Sequence, residues 1–345
     1  MGEVSDPPVT LRTLADRLGL HVSTVSRVLH AKPGETQRAA SSATIRRVRK
    51  LADELGYRPN PHASSLRTKR SNLVAVLVPR LSDTVLAAIC EGIEEAAGER
   101  GLSTIITSTK DVPALRRARA ELALGQRVDG IIFGDAVVDG ALLAEISARG
   151  TPFVLVNRRA AGYPAVTCDD YVGGRMVADH LLGLGHTDVA VVAGRPYAST
   201  GIDRAQGFLD AYADAGIELP THRFTHCAFD ERGGHEATAR LLDQATRPPS
   251  AVFAVTDAAA LGAVGALRDR GIRVGTDIAV AGFGDTAIAA ELPVPLTTVR
   301  SPMHRIGRIG LELLGELLRG GQVASRRLRP ELVIRESTTS ARPRP

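Results

Sequence analysis

Through the first 56 positions apolar residues recur at helical spacing. In "TLRTLADRLGL" Leu11, Leu14, Ala15 and Leu18 fall at i, i+3, i+4 and i+7, which defines one face of a helix. Thr10 is a natural N-cap, Gly19 breaks the helix, and Leu20 packs back. "HVSTVSRVLH" then predicts a short helix over residues 22–29, with Val25, Val28 and Leu29 inward and Ser23, Ser26 and Arg27 outward. A third helix is predicted in "ATIRRVRKLADELGY", through Ile45, Val48, Leu51, Ala52 and Leu55, with Gly56 as its stop. "YRPNPHASSLRTKRS" carries two prolines and a basic cluster, and reads as a linker with at most a marginal helix. From Asn72 the texture changes. Apolar runs such as "LVAVLVP", "STIITS", "DGIIFGD", "PFVLVN", "VAVVAG" and "IAVAGFGD" alternate with helical segments. That alternation predicts an α/β fold of parallel sheets covered by helices on both faces. It runs too long for one six-stranded sheet, so two similar lobes are expected. Ligands of such folds sit beyond the carboxyl ends of strands.

Charge sharpens the division. Residues 1–70 hold 13 Lys/Arg against 6 Asp/Glu, while the remainder holds 30 against 32, so the head carries all the excess behind the net charge of +5. This asymmetry points to a nucleic-acid-binding head on a near-neutral body. A solvated basic face would give the same balance, but the three-helix context favours DNA. On the second helix Arg27 can present its fork to guanine O6 and N7, and the hydroxyls of Thr24 and Ser26 can bond phosphates.

Other classes fare poorly. No stretch of about 18 apolar residues offers a membrane span, and the polar start shows no secretory signal, so a cytoplasmic protein is expected. Cys90, Cys168 and Cys227 are widely spaced and outside any CxxC pattern, which suits buried thiols better than disulfides or a metal site. "GFGDTA" lacks the third glycine of a dinucleotide loop, and no GxSxG, HExxH or Walker motif occurs. His180 and His186 are not spaced as helical metal ligands. No enzyme, cofactor or metal is expected.

The order "VTLRTLADRLGLHVSTVSRVLH", followed by "LADELGYRPNPHASSLRTKRSNLVAVLVP", closely resembles the lactose-repressor (LacI) family of bacterial transcription regulators. The resemblance continues through "VDGIIF", "VNRR", "IDRAQGF", "VTDAAALGAVGAL" and "LTTVRSPMHRIGRIGLELL" and covers nearly the whole chain. It implies a helix-turn-helix head over 1–58, a hinge over 59–71 and a two-lobed core over 72–338, like a periplasmic sugar-binding protein. A disordered tail would occupy 339–345. The first lobe would take about 72–167 plus 299–325, and the second about 168–298 plus 326–338. DNA contacts would fall on Thr10, Val22, Ser23, Thr24, Ser26 and Arg27, and in the hinge on Asn60, Ala63 and Leu66, with Leu66 wedged into the minor groove. Effector contacts would fall on Asp83, Asn157, Thr200, Arg204, Phe229, Asp257 and Asp285. The implied partners are double-stranded operator DNA, a second copy of the chain, and a small effector that is a sugar, sugar derivative or nucleoside-like molecule.

The sequence departs from the family at four places. The segment 31–44 is several residues longer, His21 replaces a common serine cap, Thr256 replaces a frequent asparagine, and Gly284 replaces an acidic residue that grips sugar hydroxyls. The reading is a sequence-specific regulator, acting as a repressor on a near-palindromic operator. A repressor whose core only dimerises, and a solute-binding protein, are the alternatives.

Overall fold

The computed structural model describes residues 9–30, 40–57 and 70–339, and falls into two compact units, residues 1–71 and 72–345. The first unit has three described helices, α1 (Leu11–Leu18), α2 (Val22–His30) and α3 (Ser42–Glu54). Thr10 closes a capping box with Thr13, its hydroxyl accepting from the Thr13 amide at 3.2 Å and its own amide donating back at 3.3 Å. Gly19 leaves α1 in the left-handed region at φ 63°, a conformation that favours glycine. The helices close on Leu14, Ala15, Val25, Val28, Val48 and Ala52, all buried, with Leu29 half-buried against them. The predicted inward faces are therefore the observed ones.

The second unit holds two six-stranded sheets. The first orders its strands β2 (Ser103–Ser108), β1 (Leu73–Val78), β3 (Gly130–Phe133), β4 (Phe153–Val156), β5 (Ala165–Cys168) and β11 (Arg326–Leu328), all parallel. The second runs β7 (Phe224–His226), β6 (Val189–Ala193), β8 (Ala251–Ala254), β9 (Ala279–Gly284), β10 (Thr297–Arg300) and β12 (Glu331–Val333). Only the last pairing there is antiparallel. Central strands such as β3 and β8 are buried along their length, as sheets covered on both faces require. Strand order reverses between β1 and β3 and again between β6 and β8. These switch points face a ligand crevice in open α/β sheets.

The lobe boundaries differ from the expected ones at the returns. Val299 and Arg300 lie in β10 of the second sheet, not in the first lobe. Arg326–Leu328 pairs with β5 in the first sheet, and only β12 returns to the second. The cause is local. β11 is a three-residue edge with two exposed arginines, so it carries no apolar alternation to declare its sheet. The chain thus crosses between lobes three times, after β5, β10 and β11.

Cys90, Cys168 and Cys227 are free and buried, and burial pushes their thiols up to about 11, 12 and 11 respectively. Since the thiolate is the reactive form, a disulfide-exchange reagent at pH 8 should titrate no thiol rapidly in the native protein and all three in denaturant. Rapid native labelling of one would show that thiol to be accessible.

Candidate functional site

Two sets of residues remain once packing and capping are accounted for, one in each unit. On the head, α2 turns Val22, Ser23 and Arg27 to solvent and leaves Thr24 and Ser26 half-buried. His21 substitutes for the missing serine cap, its ring Nδ1 accepting from the Ser23 amide at 3.3 Å and lying 2.7 Å from the Ser23 hydroxyl. Arg27 makes no ion pair or hydrogen bond among the described residues, so its fork is unspent. Asn60, Ala63 and Leu66, and most of the 31–44 segment, lie outside the described residues.

In the core, the strand ends of the two switch points face one another across a cavity of about 770 Å³. Asp83, Asn157, Thr200, Arg204, Phe229, Asp257 and Asp285 all line it. Six non-glycine residues among those described have positive φ, and four of them (Lys110, Asp111, Asn157 and Asp285) stand in this wall. Such backbone is costly and persists where surrounding contacts over-determine it, as at ligand clamps.

At Asp111 and Asp285 those contacts are ionic. Asp111 accepts from Arg158 at 2.8 and 2.9 Å, from Arg116 at 3.0 Å, and from the Tyr197 hydroxyl of the other lobe at 3.2 Å. Arg116 also donates to Asp135 at 2.7 Å, and Thr109 does so at 2.6 Å. Two buried arginines thus balance two carboxylates, which is the condition for burying charge at all. Burial alone would push Asp111 up, but the hydrogen bonds and charge of Arg158 and Arg116 outweigh it and hold the carboxyl below 3.8.

Further contacts join the lobes around the cavity. Arg159 forks onto Asp203 at 2.7–3.1 Å, and its amide donates to the Ser199 hydroxyl at 2.9 Å. Arg80, just after β1, reaches Asp230 at 2.5 Å. The Arg158 guanidinium lies 5.5 Å from the centroid of the Phe229 ring.

Arg204 sits on the helix Ser199–Asp214, which crosses the helix Asp170–Gly183 at two glycines. A Cβ on Gly174 would lie 2.0 Å from the Arg204 carbonyl oxygen, and one on Gly207 equally close to that of Tyr171. This approach seats Arg204 Nε 2.7 Å from Asp170, while Nη1 donates to the Val255 carbonyl at 2.8 Å and the guanidinium covers the Phe283 ring at 3.8 Å. Only 5 % exposed, Arg204 is mostly spent on its own lobe, which corrects the expectation of a free ligand fork; Nη2 is what remains. Burial pushes its partner Asp170 up to about 6 even so.

Two other expected ligand contacts, both acceptors, are also engaged. Asp257 accepts from Thr298 at 2.5 Å and from the Thr286 amide and hydroxyl at 2.7 and 3.0 Å. Asp285 is held by Arg300 at 2.7 Å and Arg335 at 2.6 Å. Phe229 packs against Gly194 and Gly201, where a Cβ would strike its ring at 2.2 and 3.1 Å. Asp83 caps the helix Thr84–Gly98 through the Val85 amide. Arg80, Lys110, Asp111, Arg195 and Tyr197 were not singled out by sequence. The signal was present, since each follows the carboxyl end of β1, β2 or β6.

Comparison with known proteins finds relatives for both units. Residues 10–60 match the model of bacterial regulatory proteins of the lacI family, and residues 178–338 match a periplasmic binding protein-like domain. The transcriptional regulator DegA of Bacillus subtilis is 33% identical over 337 residues, 96% of this chain and 98% of that one. The chain belongs to the LacI family. This LacI-family regulator is likewise 33% identical over 340 residues to the regulator CelR of Thermobifida fusca, covering 95% of this chain and 98% of that one. Among solved structures, the Lac repressor dimer bound to operator and the anti-inducer ONPF superposes with a TM-score of 0.86 at 26% identity, over 96% of this chain and all of that one. A CelR–cellobiose complex gives 0.73 at 30% identity, over 95% and 99%. The protein is therefore a DNA-binding transcriptional regulator with a sugar-binding-like core, and no described helix is long and apolar enough to cross a membrane.

Replacing Asp111 by Asn should cost about 3–5 kcal/mol, because it leaves the buried Arg158 guanidinium without its paired carboxylate. As its carboxyl is depressed in the folded state, its stabilisation is complete above pH 3.8 and is lost as pH falls through the lowered value. Urea unfolding of wild type and Asp111→Asn should show a gap that is constant near neutrality and closes below pH 3.8. A gap of under 1 kcal/mol at pH 7 would show that Asp111 does not hold the buried guanidiniums.

Proposed function

We propose that this regulator is a repressor that binds a near-palindromic operator as a homodimer and is controlled by a small molecule in the interlobe cavity. The observation that carries the reading is α2, which offers Val22, Ser23 and an Arg27 unpaired among the described residues on one exposed face of a head holding all the chain's positive excess. An arginine fork directed at guanine discriminates by ~1–3 kcal/mol. Thr10, Thr24 and Ser26 hold phosphates and set register. Asn60, Ala63 and Leu66 of the hinge enter the minor groove, where an apolar wedge unstacks a base step and bends the duplex. The dimer and the effector draw support from relatives, since the Lac repressor structure is a dimer on operator with an anti-inducer and CelR was solved with cellobiose.

The effector works through the angle between the lobes. A molecule touching both lobes favours one closure over another, and a coupling of ~1–3 kcal/mol is enough to empty or fill the operator. It is a sugar, sugar derivative or nucleoside-like molecule, in keeping with a cavity inside the ~300–1,000 Å³ range of small-ligand sites.

Arg27→Ala should lower the preference for operator over random DNA by about tenfold to a hundredfold, while weak, salt-sensitive binding persists through the phosphate contacts. The operator is first selected from random sequence with the wild-type protein, and both proteins are then titrated against it by anisotropy. An unchanged specificity ratio would show that α2 does not read bases.

A further inference from the structure

The cations that line the cavity are not equivalent. Arg158 is spent on both oxygens of Asp111, and Arg204 on Asp170 and the Val255 carbonyl. Three others stand where the cavity opens, at the ends of β1, β2 and β6. Arg80 is 44% exposed and pairs across the cleft with Asp230, itself 24% exposed. Lys110 and Arg195 are exposed and make no ion pair among the described residues. The carboxylates run the other way. Asp111, Asp257 and Asp285 are engaged inside the wall, Asp83 is half-buried on a backbone amide, and Glu231 alone of the lining acids is exposed without an ion pair.

Asp230 is built to release Arg80. Its Oδ1 accepts from the Gly233 amide at 2.8 Å, capping the helix Glu231–Gln244, and only Oδ2 reaches Arg80. Arg195 lies close enough to act on the same carboxylate. If Arg80 leaves, the acid keeps its cap and a neighbouring charge. A half-exposed ion pair is weak, so it yields to an anion that brings further contacts.

We propose that the Arg80–Asp230 pair stands in for the ligand: the effector is a small polyol bearing a carboxylate or phosphate, and its anion takes Arg80 from Asp230, flanked by Lys110 and Arg195. The proposal rests on the cavity being the effector site and names the class it accepts. Binding then exchanges a direct bridge between the lobes for one made through the ligand, and a neutral sugar has nothing to exchange. Arg80, not Arg204, anchors the anion.

The test is calorimetric titration of the full-length protein with glucose and galactose, their uronates, their 6-phosphates, and inorganic phosphate alone. At least one charged sugar should bind ten times more tightly than its neutral parent, and the uronate and phosphate arms tell the two anions apart. Arg80→Gln should abolish that advantage, whereas Asp230→Asn, which removes the internal competitor, should increase it several-fold. Both side chains are partly exposed, and unliganded melting confirms that the variants fold. The inference is overturned if neutral and charged sugars bind alike, if the advantage survives Arg80→Gln, if inorganic phosphate alone binds as well as the esters, or if no charged sugar binds even to Asp230→Asn. Operator binding by the same unliganded wild-type preparation separates the two readings. Its loss overturns the regulator's proposed function, whereas intact operator binding without anion selectivity overturns this inference alone.

Discussion

The carboxylate of Asp111 receives two guanidiniums from its own lobe and a phenol from the other, so one buried charge network spans both lobes. Three chain crossings tether the lobes without fixing their separation. A directional, partly buried network can fix it, because each member left unpaired would carry the cost of a desolvated charge. The same network explains why Lys110 and Asp111 tolerate left-handed backbone in succession, at φ 52° and 57°. The loop after β2 is held by its ion pairs rather than by its own conformational preference. From there the geometry spreads: Arg158, fixed by Asp111, faces Phe229, which lies against the glycines of the opposite lobe.

The cavity is a wall of satisfied charge with an unsatisfied mouth. Its deep carboxylates and arginines hold strand ends and helix starts in register, as with Asp257 between two threonines and Asp285 between two arginines. The deep groups of the wall therefore already have partners within the protein, whereas Lys110, Arg195 and Glu231 at its rim make no ion pair among the described residues. The head is built on the opposite plan, with a small apolar centre, capped helices and an outward arginine that has no partner among the described residues.

The fold is most legible in the sequence where the information is local. The Thr10 cap, the Gly19 stop and the inward valines of α2 are set by residues within a few positions of one another, and the structure agrees with each. Buried strands announced themselves as apolar runs. β11 did not, because a polar three-residue edge has no period. The charged interior was also hidden: Arg158 and Asp111 are 47 positions apart and Arg80 and Asp230 are 150 apart, so each reads alone as solvated surface. The resemblance located the wall residues well, but it could not tell that Arg204, Asp257 and Asp285 were already committed to neighbours.

The order in which strands join the sheets bears on how the protein is made. Neither lobe is a continuous stretch of chain. The first sheet lacks its edge strand until Leu328 has been synthesised, and the second waits for Val333. The head, by contrast, closes entirely on residues before position 58. On the ribosome a three-helix unit with mostly local contacts can finish early, while the lobes remain open-edged until nearly the last codons. A truncated translation product would thus carry a complete DNA-reading surface and an unsealed core.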